Sequence, residues 1–257
     1  MSVELVVFLL VVALAAGWVD AVVGGGGLVQ LPVLLLALPG APPSAILATD
    51  KLSSISGTTA SAVGFARNAG AELRVAVPAG VLGLAASGAG ALTAGTVPAT
   101  VFRPFVLVAL LVVACVVILR PGIGTASGGG GRHAAAPRLA GVVVLVGVAL
   151  PFYNGLVGPG TGAMILLALS VLLRMDFLTG SATAKVVNVG ANLGALVVFA
   201  AQGHVFWLLG LGMGACNVLG ARLGTRTALR RGSGFIRATL LCVVAALLVK
   251  LGVDQLG

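Results

Sequence analysis

Two lysines lie inside strongly apolar stretches of the sequence, and each begins a row of polar residues. The steps of three or four residues place each row on one face of a helix. The rows are Lys51, Ser54 and Thr58, and Lys185, Asn188 and Asn192. A cation beside hydroxyl and amide groups suits an oxyanion, because it combines charge with directed hydrogen-bond donors. The alternative is a lysine that extends to the membrane interface while small polar residues hold helices together.

Two glycine-rich motifs precede these rows. They are Gly24, Gly25, Gly26 and Gly27, and Gly158, Pro159, Gly160, Thr161 and Gly162. Each motif ends one helical stretch and begins a short one, so the first N–H groups of the short helix can face an anion. The alternative is a plain bend or close helix packing. The sequence around Lys185 lacks the glycine and hydroxyl residue of a nucleotide-binding loop, so ATP hydrolysis is not expected.

Two acids lie close to these motifs. Asp20 precedes the first glycine motif, and Asp50 adjoins Lys51. Either acid could carry a coupling proton, or could satisfy a loop or a helix N-terminus. We therefore name Asp20 and Asp50 as coupling candidates and leave both interpretations open.

The composition restricts the class of protein. The chain has 257 residues, of which 59% are hydrophobic and 8% charged, and its mean hydropathy is +1.19. This excludes a water-soluble enzyme and indicates a protein of the lipid bilayer. The net charge of +9 comes mainly from scattered arginines, which fit membrane topology signals better than a nucleic-acid surface. Cys115, Cys216 and Cys242 form no pair typical of a disulfide or zinc site, and no cofactor is expected.

Hydropathy predicts an all-α polytopic bundle of about ten segments. They are Val3 to Val23, Leu28 to Leu38, Ser44 to Ala66, Leu73 to Ala94, Thr100 to Leu119, Arg138 to Val157, Ala163 to Leu173, Thr179 to Ala201, His204 to Gly224 and Phe235 to Leu251. The second and seventh are too short to cross a hydrocarbon layer of about 30 Å, so we predict half-helices or re-entrant arms.

The sequence also matches itself when shifted by 134 residues. Ala48-Thr49-Asp50-Lys51 then falls on Ala182-Thr183-Ala184-Lys185, and Asp20 falls on Asn154. This predicts a first membrane repeat over 1–119, a flexible Gly-rich linker over 120–137 and a second membrane repeat over 138–257. Arginines mark corresponding loops of the two halves on opposite sides, which predicts inverted repeats, a cytoplasmic linker and external termini.

The motifs carry a family resemblance. Gly17-Trp18-Val19-Asp20 with its glycine run, Gly155 to Gly162, and the two threonine–lysine motifs around Thr49 and Thr183 occur in matching order in both halves. The chain resembles the TauE/SafE sulfite exporter family of membrane transporters. That resemblance implies export of sulfite or of small sulfur-containing or organic anions, mostly across bacterial plasma membranes. The first glycine run lacks the proline and threonine of the second.

These observations predict a secondary transporter that works by alternating access. The two glycine motifs would meet near a pseudo-two-fold axis and bind a small anion together with Lys51 and Lys185. An anion channel or passive facilitator is the alternative, and an embedded enzyme lacks a nucleophile and base pair. No nucleic-acid partner is expected. The anion, the direction, the coupling ion and the oligomeric state stay open.

Overall fold

A computed structural model of the chain describes residues 2–94 and 136–256, and within these ranges it is helical with no strand. Eight helices follow one another: α1 Val3–Val23, α2 Gly26–Ala37, α3 Pro43–Asn68, α4 Leu73–Thr93, α5, α6 Thr161–Leu172, α7 Phe177–Ala201 and α8 Trp207–Leu256. Helix α5 is continuous over Ala136–Val144, a π-helical part Leu145–Ala149, and Leu150–Leu156. The all-α prediction is confirmed. The predicted segment Thr100 to Leu119, Cys115 and almost all of the predicted linker lie outside the described residues.

Within the described ranges 2–94 and 136–256, four helices are long and apolar enough to cross a membrane. They are α1, α4, the Pro137–Leu156 part of α5, and α7, with 20 to 25 residues each. At about 1.5 Å per residue, each reaches at least about 30 Å, which is the thickness of the hydrocarbon layer. This supports a multi-pass membrane protein.

Helices α2 and α6 are short, as the hydropathy pattern predicted. Each has 12 residues and reaches only about 18 Å at the usual helical rise. Both follow a glycine with positive φ: Gly24, at φ +77°, ends α1, and Gly160, at φ +81°, precedes α6. Residues with a Cβ rarely adopt this left-handed conformation, so glycine fixes where the long helices stop.

The last two hydropathy segments correspond to two helical stretches that meet at a kink. An arginine-rich stretch lowers the hydropathy between the predicted ranges His204 to Gly224 and Phe235 to Leu251. In the structure the two stretches of α8 meet at Gly232, where φ is +74° and ψ is −172°, so the first helix continues beyond Gly224 before the chain bends. Arginine is a good helix former, so a polar stretch can continue a helix beyond the apolar layer.

The long helices of the two sequence halves pack against each other. Helix α1 packs on α8 and α4 packs on α5, while α3 contacts α8 and α4 contacts α7. Glycines permit the closest approaches, since a side chain at Gly90 would collide with the carbonyl of Phe152, and one at Gly224 with that of Trp18. Helices α3 and α7 also contact each other.

The bundle buries polar side chains together with an apolar core, and many large apolar side chains also cover its outside. Leu208 is 90% exposed and Leu36 77%, as expected for residues that face lipid. Helix α3 buries Asp50, Lys51 and Thr58. Helix α7 likewise buries Lys185 and Asn192. The buried polar groups therefore concentrate where α3 and α7 meet the glycine motifs.

Candidate functional site

The two glycine motifs contact each other directly. The backbone N–H of Ala163, at the start of α6, donates to the carbonyl oxygen of Gly24 over 3.2 Å. A Cβ at Gly162 would lie 2.6 Å from that same oxygen, so no side chain fits there. One of the helix-start N–H groups predicted to face an anion thus binds the opposite motif. Glycine is required at this crossing because two backbones touch.

One buried lysine forms an ion pair. Lys185 Nζ donates to Asp20 Oδ2 over 2.7 Å and also to the backbone oxygen of Asp20. The hydroxyl of Thr58 donates to the same carboxylate oxygen over 3.1 Å. We call Asp20, Thr58 and Lys185 the charged cluster. Beside Lys185 lies a small cavity that Gly24, Gly162 and Ser181 help to line.

In the part of the chain that the structure describes, the other buried lysine donates to a neutral amide side chain and forms no ion pair. Lys51, which is 2% exposed, donates from Nζ to Asn154 Oδ1 over 2.9 Å. Asn154 Nδ2 in turn donates to Asn192 Oδ1 over 3.1 Å. We call Lys51, Asn154 and Asn192 the amide cluster. A Cβ at Gly158 would lie 2.6 Å from Lys51 Nζ, so the second glycine motif makes room for this ammonium.

The two clusters occupy equivalent places in the sequence. Adding 134 to the numbers of Lys51, Thr58 and Asp20 gives those of Lys185, Asn192 and Asn154. In both clusters the lysine of one half reaches the residue before the glycine motif of the other half. That residue is an acid in the charged cluster and a neutral amide in the amide cluster. Lys185 is therefore electrically compensated by its direct partner, whereas Lys51 is not.

Asp50 lies in a separate buried network, outside the two rows of polar residues that the sequence analysis identified. Its Oδ1 accepts from Gln30 Nε2 over 2.9 Å, and Gln30 Oε1 accepts from Ser53 Oγ at 3.1 Å and from Asn217 Nδ2 at 3.2 Å. A Cβ at Gly27 would lie 3.9 Å from Asp50 Oδ2 and 3.6 Å from Pro159 Cα. The second carboxylate oxygen therefore borders the place where the glycine motifs meet.

Sequence reasoning missed Gln30, Ser53, Asn154 and Asn217 as residues of this centre. Three of them come from elements other than α3 and α7: Gln30 from the short helix α2, Asn154 from α5 and Asn217 from α8. The available signal was an uncharged polar residue inside an apolar segment. Asn154 was also the partner of Asp20 in the repeat.

The structure places the two predicted threonines away from the clusters. Thr49 Oγ1 donates to the carbonyl of Ala45 and accepts the backbone N–H of Phe206, just before α8. Likewise, Thr183 Oγ1 donates to the carbonyl of Thr179 and accepts the backbone N–H of Glu72, just before α4. Both hydroxyls hold the start of a neighbouring helix.

The remaining predicted residues differ in their surroundings. Ser54 is half-buried, and Asn188 is buried with no partner in the described residues for its amide oxygen. Gly26 packs on α1, where a Cβ would lie 2.6 Å from both the Ala16 carbonyl and Asp20 Cβ. Gly25 precedes α2, and the Thr161 hydroxyl donates to the Gly158 carbonyl over 2.9 Å. These last contacts shape the motifs rather than provide free donors.

Comparison with known proteins decides the family. A model of the sulfite exporter TauE/SafE family matches residues 9–251. The chain belongs to the TauE/SafE sulfite exporter family. The resemblance inferred from the motifs is thus confirmed over nearly the whole chain.

Curated relatives of this TauE/SafE protein carry transporter names. A probable membrane transporter protein ORF9 of Sinorhizobium sp. is 34% identical over 251 residues, which cover 98% of this chain and 94% of the relative. The probable membrane transporter protein YfcA of Escherichia coli strain K12 is 31% identical, covering 96% and 89%. A probable membrane transporter protein of Haemophilus influenzae is 29% identical, covering 99% and 97%. No solved structure matches the chain.

The family and the relatives' names indicate a membrane transporter and not an enzyme. Within residues 2–94 and 136–256, no three metal-ligating side chains lie together as they would around a metal ion. The buried centre instead offers two ammonium groups, amides and hydroxyls, which are groups that recognise anions.

Proposed function

We propose that this TauE/SafE protein is a secondary transporter that exports sulfite or another small sulfur-containing or organic anion by alternating access. The observation that carries the proposal is the buried Lys51 ammonium, whose partner Asn154 is neutral. A buried ammonium whose direct partner is a neutral amide can bind an anion without breaking an ion pair. The proposed substrate class comes from the family, whose name specifies sulfite.

In this proposal the anion binds beside the amide cluster and between the glycine motifs. Lys51 supplies the charge, while Asn188 and Asn192 of α7 supply amide groups. Support comes from the unpartnered buried amide oxygen of Asn188, because rotating an amide exchanges its oxygen and nitrogen positions. Lys185 has a supporting role, since Asp20 already neutralises it.

We further propose that the two halves are inverted repeats. The paired contacts support this: Lys185 with Asp20 matches Lys51 with Asn154, and the Gly90 contact with Phe152 matches that of Gly224 with Trp18, each at an offset of 134 residues. When one half rocks against the other, the two equivalent sets of contacts can exchange conformations. Inverted repeats expose a central site alternately to the two sides of the membrane in this way.

An anion channel or passive facilitator is the competing function. The close backbone contact between Gly24 and Gly162 favours a gated transporter, because it fills the crossing of the two motifs. A transporter exchanges anion for anion at equilibrium and saturates, whereas a channel passes a current that follows the gradient.

The test is counterflow in proteoliposomes that contain the purified protein. Liposomes loaded with unlabelled sulfite are diluted into ³⁵S-labelled sulfite, and methanesulfonate, taurine, acetate and sulfate are tested as competitors. We expect saturable, transient accumulation of label that the Lys51→Met variant lacks. Label uptake equal to that of empty liposomes would overturn the proposed function, and a non-saturating current would favour the channel.

The proposed topology places the linker in the cytoplasm and both termini outside. Cysteines are introduced one at a time in a variant lacking Cys115, Cys216 and Cys242. Gly40→Cys, in the exposed connection between α2 and α3, should react with an external membrane-impermeant maleimide in intact cells. Ser127→Cys, in the linker outside the described residues, should react only after the cells are opened. The reverse pattern would invert the topology.

A further inference from the structure

The buried centre holds equal numbers of acidic and basic groups. Among the described residues, the buried ionisable groups of α1, α3 and α7 are Asp20, Asp50, Lys51 and Lys185. With both lysines and both acids ionised, their charges sum to zero. An anion that enters this centre alone would therefore leave a net negative charge in a low-dielectric environment, which is strongly unfavourable.

The two acids differ in how readily they can be neutralised. Asp20 forms an ion pair with Lys185 and also accepts from Thr58, so protonating it would leave Lys185 without its counter-charge. Asp50 accepts from an uncharged amide, Gln30, and no cation among the described residues lies within ion-pair distance of its carboxylate. A proton on Asp50 breaks no ion pair.

The position of Asp50 connects it to the anion. Its Oδ1 is fixed by Gln30, while Oδ2 faces Gly27, and Gly27 in turn faces Pro159 of the second glycine motif. The charged groups that act on Asp50 are Lys51 on its own helix and Asp20 on α1. Of the other helices that pack on α3, α2 presents Gln30, α8 presents Asn217, and α7 carries Lys185, which is paired with Asp20.

We propose that Asp50 is the coupling acid: one proton binds to its carboxylate, giving the neutral carboxylic acid, each time one monovalent anion binds at Lys51. The loaded centre then has the same net charge as the empty one, and both ions cross together without net charge movement. On release the acid returns its proton to the side that receives the anion, so export proceeds while the inside-to-outside ratio of the anion exceeds the outside-to-inside ratio of protons. This inference rests on the proposed function and adds its coupling ion, its stoichiometry and its electroneutrality.

The test uses methanesulfonate as the probe, because this monovalent anion does not itself take up a proton near neutral pH. Wild-type protein in liposomes should accumulate labelled methanesulfonate when the outside is made acidic, by about tenfold per pH unit at a ratio of one proton to one anion. A potential set with potassium and valinomycin should not change that uptake. A pH dye inside the liposomes should record one proton per anion.

The Asp50→Asn variant separates coupling from transport. Asparagine keeps the oxygen that Gln30 binds but cannot take up a proton, so counterflow should persist while accumulation driven by the pH gradient is lost. Uptake should then follow the membrane potential. Asp50→Glu should restore the response to pH. Glu4→Gln, which neutralises an exposed acid at the start of α1, is the matched control and should behave like wild type.

The outcomes distinguish the two proposals. If wild-type protein exchanges neither sulfite nor methanesulfonate, the proposed function is overturned and the coupling falls with it. If exchange occurs but wild-type uptake ignores the pH gradient or responds to the potential, only the coupling role is overturned. Pumping by Asp50→Asn at the wild-type ratio would also overturn it. If Asp50→Asn fails to fold, the potential and proton measurements on wild type still decide.

Discussion

The charged cluster and the amide cluster have the same arrangement but different chemistry. In each, a lysine on one of the helices α3 and α7 bonds the residue four positions before the glycine motif of the other half, and a polar residue on the other of these two helices bonds that same partner. The partner changes from Asp20 to Asn154, and the third member changes from Thr58 to Asn192. One carboxylate thus converts a cation that can receive an anion into a cation that holds two halves together.

The difference suggests a division of labour. A buried ion pair is costly to break, since removing one partner leaves an uncompensated charge, so the charged cluster suits the fixed part of the contact between halves. A lysine that donates to a neutral amide loses less free energy when its ammonium turns to another acceptor. The amide cluster therefore suits the part of the contact that exchanges its partner for the substrate. The five predictions that follow test this division, from the largest expected effect to the smallest.

Substituting Gly162 should disrupt both clusters at once, because the two glycine motifs contact each other at this residue. The β-carbon of Gly162→Val would overlap the backbone of Gly24, which cannot move without displacing α1. We expect complete loss of counterflow and a lower melting temperature. Gly40→Val, where no atom lies within 4 Å of the added Cβ, is the control and should retain both. Normal transport by Gly162→Val would contradict the crossing of the motifs.

Removing the lysine of the charged cluster should mainly affect stability. Lys185→Met leaves Asp20 buried without its cation, which should cost about 3 to 5 kcal/mol of unfolding free energy. The double variant Asp20→Asn with Lys185→Met removes both charges and should recover most of that loss. Thermal unfolding in detergent measures it. A double variant as unstable as the single one would show that the ion pair is not the cause.

Removing the lysine of the amide cluster should mainly affect anion binding. Lys51→Met removes an ammonium that forms no ion pair among the described residues, while Asn154 keeps Asn192 as a partner, so unfolding should change less than in Lys185→Met. The anion should bind more weakly by about 2 kcal/mol, or roughly thirtyfold in Kd. Sulfite titration of the purified variants gives the value. Equal binding losses in Lys51→Met and Lys185→Met would show that both lysines contact the anion.

The sequence predicted the helical class, the two short helices and the residues that approach each other, since these depend on hydropathy and on a repeat visible in Lys51 and Lys185. It did not predict which lysine is paired. The 134-residue match places Asp20 beside Asn154 in an alignment, but it does not show that each contacts the lysine of the opposite half. That depends on α1 crossing to α8 and α4 to α5, a tertiary arrangement without a local sequence pattern.

Two other features were also set by tertiary contacts. Thr49 and Thr183 each lie two residues before a lysine and therefore on a different face of the helix, and their hydroxyls bind the backbone that enters α8 and α4. Gln30 stands alone in an apolar helix, so its bond to Asp50 depends on how α2 folds back onto α3. A periodic pattern gives the face of a helix but not the element that covers it.

Making the clusters alike tests the role of the single carboxylate. Asn154→Asp gives Lys51 the acidic partner that Lys185 already has, with almost no change in shape. We expect anion affinity to fall about tenfold, which is about 1.4 kcal/mol, while the unfolding temperature stays equal or rises. Asn154→Gln, which changes length without charge, is the control for geometry. Unchanged affinity in Asn154→Asp would mean that Lys51 does not supply the charge.

The smallest effect should distinguish the third members of the clusters, Thr58 and Asn192. Thr58→Val removes one hydrogen bond to Asp20, but Lys185 still neutralises that carboxylate, so stability should fall by about 1 kcal/mol and anion binding should stay the same. Asn192→Val removes the acceptor that orients Asn154. Asn154 then presents its oxygen to Lys51 less firmly, and we expect a few-fold change in anion Kd with a similar loss of stability. Thermal unfolding and sulfite titration are measured on both variants. Because the two positions are equivalent in the repeat, a binding change at Thr58 as large as that at Asn192 would show that both clusters contact the anion, and the division between them would be wrong.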